Sequence, residues 1–409
     1  MKIPELLVPA NNIDVLKVAV VYGADAVYIG GEAFGLRSGA KNATLDELKD
    51  GVAFAHAHRV KVYITANILA HDRDLEGIRK YFHDLKEVKP DALIISDPGV
   101  VMIAKQVCPE IDIHISTQAN NTNYETYLFW WQMGAKRVVA ARELSLEELT
   151  EIRAQVPEEL EIEVFCHGAM CISYSGRCLL SNFLTGRDAN QGSCTHPCRW
   201  KYSVVEETRP GEYFPVEENE RGTFIFNSKD LCMIDHLPDL LETGIDSLKI
   251  EGRMKTALYV ATVTRAYRLA LDALSEGKDV YEAHREWYRS EVGKCTHRPY
   301  STGFFYGKPT ENDQIYDSAS YVTDHVFIGM SEGYDDNGLI KMTQKNKFSV
   351  GDRVEILSHD GRNIESEILE IFDDQGNPME SAPHAKQSLH VRFSVSPDIY
   401  DIIRKEVEA

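Results

Sequence analysis

Eight short apolar runs, rich in β-branched residues, recur along the first 253 residues with spacers of helix length between them. The runs cover residues 5–10, 26–31, 61–69, 92–99, 112–120, 137–145, 161–169 and 247–253. Near-continuous apolar strands that alternate with helices are typical of a parallel sheet covered on both faces. Eight such units is the number found in a closed (β/α)8 barrel. The sequence therefore predicts an α/β fold of the TIM-like barrel type, with an open doubly wound sheet as the alternative.

The spacers between the runs carry start and stop signals for helices. Thr44-Leu-Asp-Glu47 and Ser145-Leu-Glu-Glu148 each place a hydroxyl three residues before a glutamate, which is the capping-box pattern. Gly23, Gly134 and Gly244 each stand at the end of a spacer, just before the next strand. This repeated order of helix, glycine and strand supports the division into barrel units.

The regular alternation is interrupted after the seventh run and ends after the eighth. We expect residues 1–315 to form the barrel, with a cysteine-rich insertion at 166–229 that follows strand seven. A helix is predicted over 256–276, followed by a polar connection to the end of the barrel. Short strands separated by Gly, Asp and Asn then predict a small all-β domain over 316–409. Because loops at the carboxyl ends of barrel strands build active sites, the insertion marks the expected site.

Charge and hydropathy exclude several classes of protein. The 409 residues include 44 Lys plus Arg and 64 Asp plus Glu, for a formal net charge of −20. Such a chain repels phosphate backbones on average, although a local basic groove remains compatible with it. No apolar run reaches the roughly 18 residues of a membrane-spanning helix, and the N-terminus lacks the order of a signal peptide. We therefore expect a cytoplasmic protein with no membrane partner.

Five of the eight cysteines lie within 33 residues. Four of them form a spaced set, Cys-x6-Cys, then fifteen residues, then Cys-x3-Cys: Cys171, Cys178, Cys194 and Cys198. In a reducing compartment such a cluster indicates a metal site rather than disulfides. Four thiolates in one irregular loop can bind zinc or hold a 4Fe-4S cluster, so the spacing leaves iron–sulfur, zinc and metal-free thiols open. Cys166 lies in a strand run and is expected to be buried, while Cys232 is a reserve ligand.

The segment around these cysteines carries a resemblance to a known family. It reads Glu163-Val-Phe-Cys-His-Gly168-Ala-Met-Cys171 and continues to Cys178-Leu-Leu-Ser181. Further matching motifs are Glu5-Leu-Leu-Val-Pro-Ala10, Gly23-Ala-Asp-Ala-Val-Tyr-Ile-Gly30, Asn227-Ser-Lys-Asp230, Ser247-Leu-Lys-Ile-Glu-Gly-Arg253 and Arg298-Pro-Tyr-Ser-Thr-Gly-Phe304. Through them essentially the whole chain resembles peptidase family U32, the collagenase-like proteins. Within that family it is more similar to the tRNA uridine hydroxylation branch than to the paired ubiquinone-hydroxylation branch.

The resemblance implies an activity, a cofactor and partners. The activity is an oxygen-independent, prephenate-dependent 5-hydroxylation of the wobble uridine in the anticodon loop of tRNA. The implied cofactor is a 4Fe-4S cluster whose ligands, carried over by position, are the four spaced cysteines. In the ubiquinone branch the fourth ligand lies further downstream, near Cys232, which places Cys198 in question. A partner protein or a homo-oligomer is also compatible with the resemblance.

Polar side chains that follow predicted strands are candidates for substrate contact. Substrate-binding roles are predicted for Arg37, Asn67, Gln118, Asn120 and Arg142, and catalytic roles for His167, Glu251 and Arg253. Arg253 can hold a carboxylate through two parallel hydrogen bonds, which suits a dicarboxylate such as prephenate. The alternative is an Arg253–Glu251 ion pair that orders the loop. His167 is a candidate base beside the cysteines, or an ordinary buried histidine.

Basic and aromatic residues interleave around the cysteines, as in proteins that bind single-stranded RNA loops. They are Phe183, Arg187, Arg199, Trp200, Lys201, Tyr202, Lys229 and Arg253, with Lys341, Lys345 and Lys347 in the second domain. A solvated charged face is the alternative interpretation.

Two other functions stay open at this point. One is a protease, as the family name suggests, although the chain has neither H-E-x-x-H nor G-x-S-x-G. The other is a zinc-stapled RNA-binding scaffold without catalysis, which the acidic balance disfavours.

Overall fold

The computed structural model describes residues 2–31, 34, 43–171, 173–200, 203–205, 213–215, 228–309 and 321–407. Within them, strands and helices alternate up to residue 301 and strands alone follow. The strands of the first part are β1 (Glu5–Ala10), β2 (Ala26–Gly30), β3 (Lys61–Ala66), β4 (Ala92–Ile95), β5 (Asp112–Ile115), β6 (Arg137–Val139), β7 (Glu161–Ala169), β8 (Ser203–Val205), β9 (Tyr213–Pro215), β10 (Asp230–Cys232), β11 (Ser247–Ile250) and β12 (Tyr300–Ser301). The helices are α1 (Ile13–Val21), α2 (Leu45–Ala57), α3 (Asp72–Val88), α4 (Pro98–Val107), α5 (Tyr124–Gln132), α6 (Leu146–Gln155), α7 (Leu180–Thr185), α8 (Leu237–Glu242), α9 (Ala257–Glu276) and α10 (Lys278–Gly293).

Eight parallel strands close a barrel. Strands β1 to β7 pair in sequence order, and β11 pairs in parallel with both β7 and β1. This closure confirms the predicted TIM-like α/β barrel and excludes the open sheet. Strand β10 runs antiparallel to the end of β7, with Cys232 opposite His167, and β12 pairs with β10 outside the barrel.

The helix starts follow the sequence signals. Thr44 Oγ1 accepts a hydrogen bond from the Glu47 amide at 3.2 Å, and the Glu47 carboxylate accepts one from the Thr44 amide at 2.8 Å. Ser145 and Glu148 make the same reciprocal pair at the start of α6. Both predicted capping boxes are therefore present.

Ionic side chains fill the interior of the barrel near its amino end. Arg137 Nη1 lies 2.6 Å from the Glu5 carboxylate and 3.0 Å from that of Glu163. Lys249 Nζ donates to the same Glu163 carboxylate at 2.7 Å, and Tyr63 donates to Glu5 at 2.7 Å. These side chains come from five strands and meet inside the barrel, so the interior is packed rather than open.

Two expectations for the first part differ from the structure. The predicted helix over 256–276 is present as α9, but the predicted polar connection after it contains the 16-residue helix α10. Strand β7 continues through Ala169, so the first four residues of the predicted insertion are strand. The predicted boundary at residues 315 and 316 lies outside the described residues.

The C-terminal part is an antiparallel β-domain. Its strands are β13 (His325–Tyr334), β14 (Ile340–Thr343), β15 (Phe348–Ser349), β16 (Arg353–Leu357), β17 (Asn363–Asp373), β18 (Pro378–Met379), β19 (Ser381–Ala382), β20 (Ser388–Phe393) and β21 (Ile402–Glu406). The order β16-β21-β13-β14-β20-β17, closed by β16–β17 pairing, makes a small barrel. Tyr22, at the end of α1, donates to the Leu357 carbonyl at 2.6 Å and joins the two parts. Among the described helices, none combines the length and apolar character needed to cross a bilayer.

Candidate active site at the cysteine-rich loop

Polar side chains from four strand ends gather at one end of the barrel, together with the loop that follows β7. The carboxyl ends of parallel strands lie on the same side, so the segments after β3, β5, β6, β7 and β11 share that end. The predicted residues that the structure places in these segments are Asn67, Gln118, Asn120, Arg142, Glu251 and Arg253. Arg37 lies outside the described residues.

Arg142 follows β6 and is a largely buried cation whose guanidinium reaches the end of β7. Its Nη1 donates to the Ala169 carbonyl at 2.7 Å, two residues before Cys171. Its guanidinium lies over the Phe165 ring at 3.9 Å, and Nη2 is 3.8 Å from a Glu251 carboxylate oxygen. Its buried Nε has no hydrogen-bond acceptor among the described residues. A guanidinium held in this way has a fixed direction and a spare donor.

Glu251 and Arg253 are fixed by neighbouring strands and by α9. Tyr28 donates to the Ile250 carbonyl at 2.9 Å, with its hydroxyl 3.4 Å from the Glu251 carboxylate. The Glu251 carbonyl accepts from Tyr259 at 2.8 Å. Arg253 is buried, and its Nη1 donates to the Thr65 hydroxyl at 3.0 Å.

Strand β7 approaches the Glu251 backbone so closely that only glycine fits at position 168. A Cβ on Gly168 would stand 2.4 Å from the Glu251 carbonyl oxygen, and the residue has φ +111°. The glycine therefore lets the start of the cysteine-rich loop pass directly beside Glu251.

The cysteine-rich loop lies across the end of the barrel. Asn120, in the left-handed conformation, donates to the Ser175 carbonyl at 3.1 Å and accepts from Arg177 Nε at 2.5 Å. On another strand end, the Leu69 amide donates to the Asn190 carbonyl at 3.2 Å. The predicted residue Asn120 thus binds the loop itself.

Gln118 and Asn67 lie near these anchors. Gln118 packs against Gly176 of the loop, 3.5 Å from the place of a Cβ there. Asn67 donates to the Ser116 hydroxyl at 3.4 Å. Both side chains are half-buried, so their contacts also support the loops.

All eight cysteines are unbridged thiols. Cys171 is exposed, and the other three of the spaced set are half-buried. Burial raises the pKa of the Cys198 thiol, Arg199 lowers it, and the thiols of Cys171, Cys194 and Cys178 raise it further. The four sulfurs are therefore electrostatic neighbours. In the described part of the chain, no three His, Cys, Asp or Glu side chains have the spacing of a site for one metal ion.

The remaining cysteines near the site belong to the core. Cys166 is fully buried and lies 3.5 Å from the Lys249 carbonyl, as expected. Burial raises the pKa of Cys232 to about 12, and the residue faces His167 across the β10–β7 pair. The other three spaced thiols thus act electrostatically on Cys198, whereas Asp235, Tyr267 and Arg289 act on Cys232. Which of the two completes the ligand set stays a prediction.

His167 is packed among tyrosines. Its ring centroid lies 5.3–6.0 Å from those of Tyr300, Tyr267 and Tyr259. Burial, helped by His297 and Lys255, lowers the pKa of His167 to about 3, so the imidazole is neutral at physiological pH. Its recorded contacts are with this aromatic cluster, and its catalytic role stays a prediction.

Three residues of the site escaped sequence reasoning. Phe165 supports the Arg142 guanidinium, Tyr28 binds beside Glu251, and Ser181 ties the loop together. Tyr28 and Phe165 stand in motifs that carry the family resemblance, which is a usable signal. Ser181 also ends such a motif, but its bonds to Arg187 and Thr195 become visible only in the structure.

Comparison with known proteins identifies the family. The profile of peptidase family U32 matches residues 11–315, and that of the U32 C-terminal domain matches 323–404. A tRNA hydroxylation protein of Bacillus subtilis (strain 168) is 40% identical over 400 residues, covering 98% of this chain and 93% of the relative. The tRNA hydroxylation protein P of Escherichia coli (strain K12) is 39% identical, covering 93% and 91%. A 23S rRNA 5-hydroxycytidine synthase of the same organism is 34% identical over 78% of this chain and 47% of its own length. The chain therefore belongs to peptidase family U32, with both its barrel and its C-terminal domain.

Proposed function

We propose that the protein hydroxylates C5 of the wobble uridine in tRNA. Full-length relatives named for tRNA hydroxylation support the reaction and the substrate class. The observation that carries the proposal is the position of the four-cysteine loop across the barrel end, where Asn120 binds it and where it starts two residues after the carbonyl held by Arg142. The proposed tRNA substrate supports a cytoplasmic location as part of the proposal.

A 4Fe-4S cluster is the proposed cofactor, and Cys171, Cys178, Cys194 and Cys198 are its proposed ligands. The donor set fits, because such clusters are held by four cysteine thiolates. The loop also fits, since Gly176 and Gly192 have positive φ and let the backbone curve around a bulky group. When bound, the cluster supplies one-electron redox chemistry. Zinc is the alternative occupant.

Prephenate is the proposed co-substrate, held by the arginines at the barrel end. Prephenate carries two carboxylates, and arginine binds carboxylates through charge-assisted hydrogen bonds. Arg142 and Arg253 are both largely buried and are oriented by Phe165 and Thr65 respectively. Attraction between opposite charges is stronger in such a poorly solvated place than in water.

The first test is the metal content of anaerobically purified protein, followed by an assay with unmodified tRNA and prephenate. The proposal expects a brown protein with about four iron atoms per chain and prephenate-dependent 5-hydroxyuridine, detected by mass spectrometry of the digested tRNA. A colourless protein with one zinc would contradict the cofactor. Two results together would contradict the function: iron-loaded protein that leaves tRNA and prephenate unchanged, and 5-hydroxyuridine that persists in tRNA after the gene is deleted.

A further inference from the structure

The short helix α7 after Cys178 presents apolar side chains to solvent. Phe183 is 84% exposed, Leu179 is 65% exposed and Leu184 is 42% exposed. Leu179 and Phe183 are four residues apart, and the Phe183 amide donates to the Leu179 carbonyl at 2.9 Å, so they share one helical face. Contiguous exposed apolar side chains mark interaction sites on protein surfaces.

The opposite face of α7 is anchored through hydroxyl groups. Ser181 is fully buried, and its Oγ donates to the Arg187 carbonyl at 2.8 Å and accepts from the Thr195 amide at 3.0 Å. Thr185 donates to the Ser181 carbonyl at 2.7 Å. Thr195 follows Cys194 directly, so the exposed pair is held in a fixed position beside the thiols.

The charge around this apolar pair is positive on an otherwise acidic protein. Residues 173–200 contain three arginines, Arg177, Arg187 and Arg199, and one aspartate, whereas the whole chain carries −20. Arg177 and Arg187 are exposed. An aromatic surface flanked by arginines is complementary to single-stranded nucleic acid, because bases stack on the ring and phosphates pair with the guanidiniums.

We propose that Leu179 and Phe183 form a stacking platform for a base of the tRNA anticodon loop, with Arg177 and Arg187 beside its phosphates. The inference rests on the proposed function and deepens it. Leu179 directly follows Cys178 in the chain, so a base stacked on this pair is held at the cysteine-rich loop. The barrel arginines bind the small co-substrate, and the α7 platform positions the RNA.

The test is binding of an unmodified anticodon stem-loop RNA to the full-length, anaerobically purified protein, measured by fluorescence anisotropy. Phe183→Ala is expected to weaken binding about 10- to 100-fold, the range of one lost base–aromatic stack. Phe183→Trp keeps an aromatic stacking surface and is expected to bind RNA normally. Phe183→Leu keeps an apolar side chain but no ring, and is expected to bind RNA more weakly. Tyr334→Ala, which removes a 52% exposed aromatic from the C-terminal domain, is the matched control. Each variant must keep the iron content and thermal midpoint of the wild type.

The outcomes separate the inference from the function. Wild-type protein that binds and hydroxylates RNA, with Phe183→Ala of equal affinity, overturns the platform and leaves the function standing. A second outcome also overturns the platform. In it, Phe183→Ala binds RNA normally and loses turnover only in assays driven by a protein reductant, because the surface then serves a protein partner. Wild-type protein that neither binds nor modifies RNA contradicts the proposed function itself.

Discussion

Arg404, in the last strand of the C-terminal domain, donates from Nη2 to a carboxylate oxygen of Glu291 at 2.7 Å. Glu291 lies on α10 of the barrel part, and Arg265 of α9 donates to the same oxygen at 2.9 Å. All three side chains are at most 2% exposed. A single buried carboxylate therefore joins two guanidiniums across the contact between the domains.

Replacing this carboxylate should destabilise the whole chain. Glu291→Gln leaves two buried guanidiniums without their shared anion, and removal of one partner from a buried ion pair costs about 3–5 kcal/mol. We expect a clearly lower midpoint of thermal and urea unfolding. Glu286→Gln, on the exposed face of α10, should stay within about 0.5 kcal/mol of wild type. Equal midpoints for the two variants would contradict the role of Glu291.

The same group should make the domain contact sensitive to acid. Burial raises the pKa of Glu291, but Arg404, Arg265, the Asn363 hydrogen bond and Lys294 together lower it by more, so its pKa in the folded protein lies below the ordinary 4.5. A carboxylate with a lowered pKa stabilises the fold above its unfolded value and loses that contribution as the pH falls through the folded value. The thermal unfolding midpoint should therefore decrease when the pH is lowered below about 4.5. In Glu291→Gln this drop should be smaller, and an unchanged pH profile would argue against the assignment.

The alternating strands and helices of the barrel could be predicted from the sequence because they depend on local patterns. Apolar runs, capping boxes and glycine stops are each set by a few neighbouring residues, and all of them reappear in the barrel. Helix α10 was missed because its few buried residues are Tyr281, Tyr288, Glu291 and Val292, which give a weak apolar pattern among many charged residues. Strand β10 was missed because three residues become a strand only by pairing with the end of β7.

Only some residues of the candidate site could be predicted from the sequence. The cysteine spacing and Arg142 could be selected because they follow predicted strands. His167 stands equally close to a strand end, yet its position in the tyrosine cluster depends on α9 and β12, which are distant in sequence. Asn120 could be selected as a polar residue, but not as an anchor of the loop, because Ser175 and Arg177 reach it from 55 and 57 residues away.

The proposed ligands can be separated from the other cysteines by single substitutions. Serine at 171, 178, 194 or 198 should each lower the iron content and the visible absorbance of anaerobically purified protein. Cys232→Ser should retain both, because that thiol is buried in the core with a pKa raised by burial. Cys108→Ser, at the buried end of α4, is the matched control. Iron lost from Cys232→Ser and kept by Cys198→Ser would reverse the assignment of the fourth ligand.

Ser181 should control how firmly α7 and the thiol loop are held. Ser181→Ala leaves the half-buried Thr195 amide without the Ser181 hydroxyl as acceptor, and a lost hydrogen bond of this kind costs about 1 kcal/mol. We expect faster hydrogen exchange over residues 179–195 and faster iron loss in air, with the global midpoint shifted much less. Thr150→Ala, which removes a hydroxyl bond on the exposed face of α6, is the control. Unchanged exchange in Ser181→Ala would show that the hydroxyl does not hold the loop.

Arg142 should act on the co-substrate rather than on the metal. Arg142→Lys keeps the charge but loses the planar fork that can hold a carboxylate with two hydrogen bonds. A hydrogen bond to a charged group contributes roughly 1.5–3 kcal/mol, so kcat/KM for prephenate should fall about 10- to 100-fold. The fall should come mainly from a higher KM.

The Arg142 side chain also holds the Ala169 carbonyl, so iron content must be measured on the same samples. Normal iron with a raised KM for prephenate and an unchanged KM for tRNA would identify a group that binds the co-substrate. Loss of iron would instead show that Arg142 supports the loop. Arg79→Lys, on the exposed face of α3, is the control for an arginine-to-lysine exchange outside the site. An Arg142→Lys enzyme with the KM of the wild type would remove Arg142 from the proposed prephenate site, because a binding role requires that parameter to move.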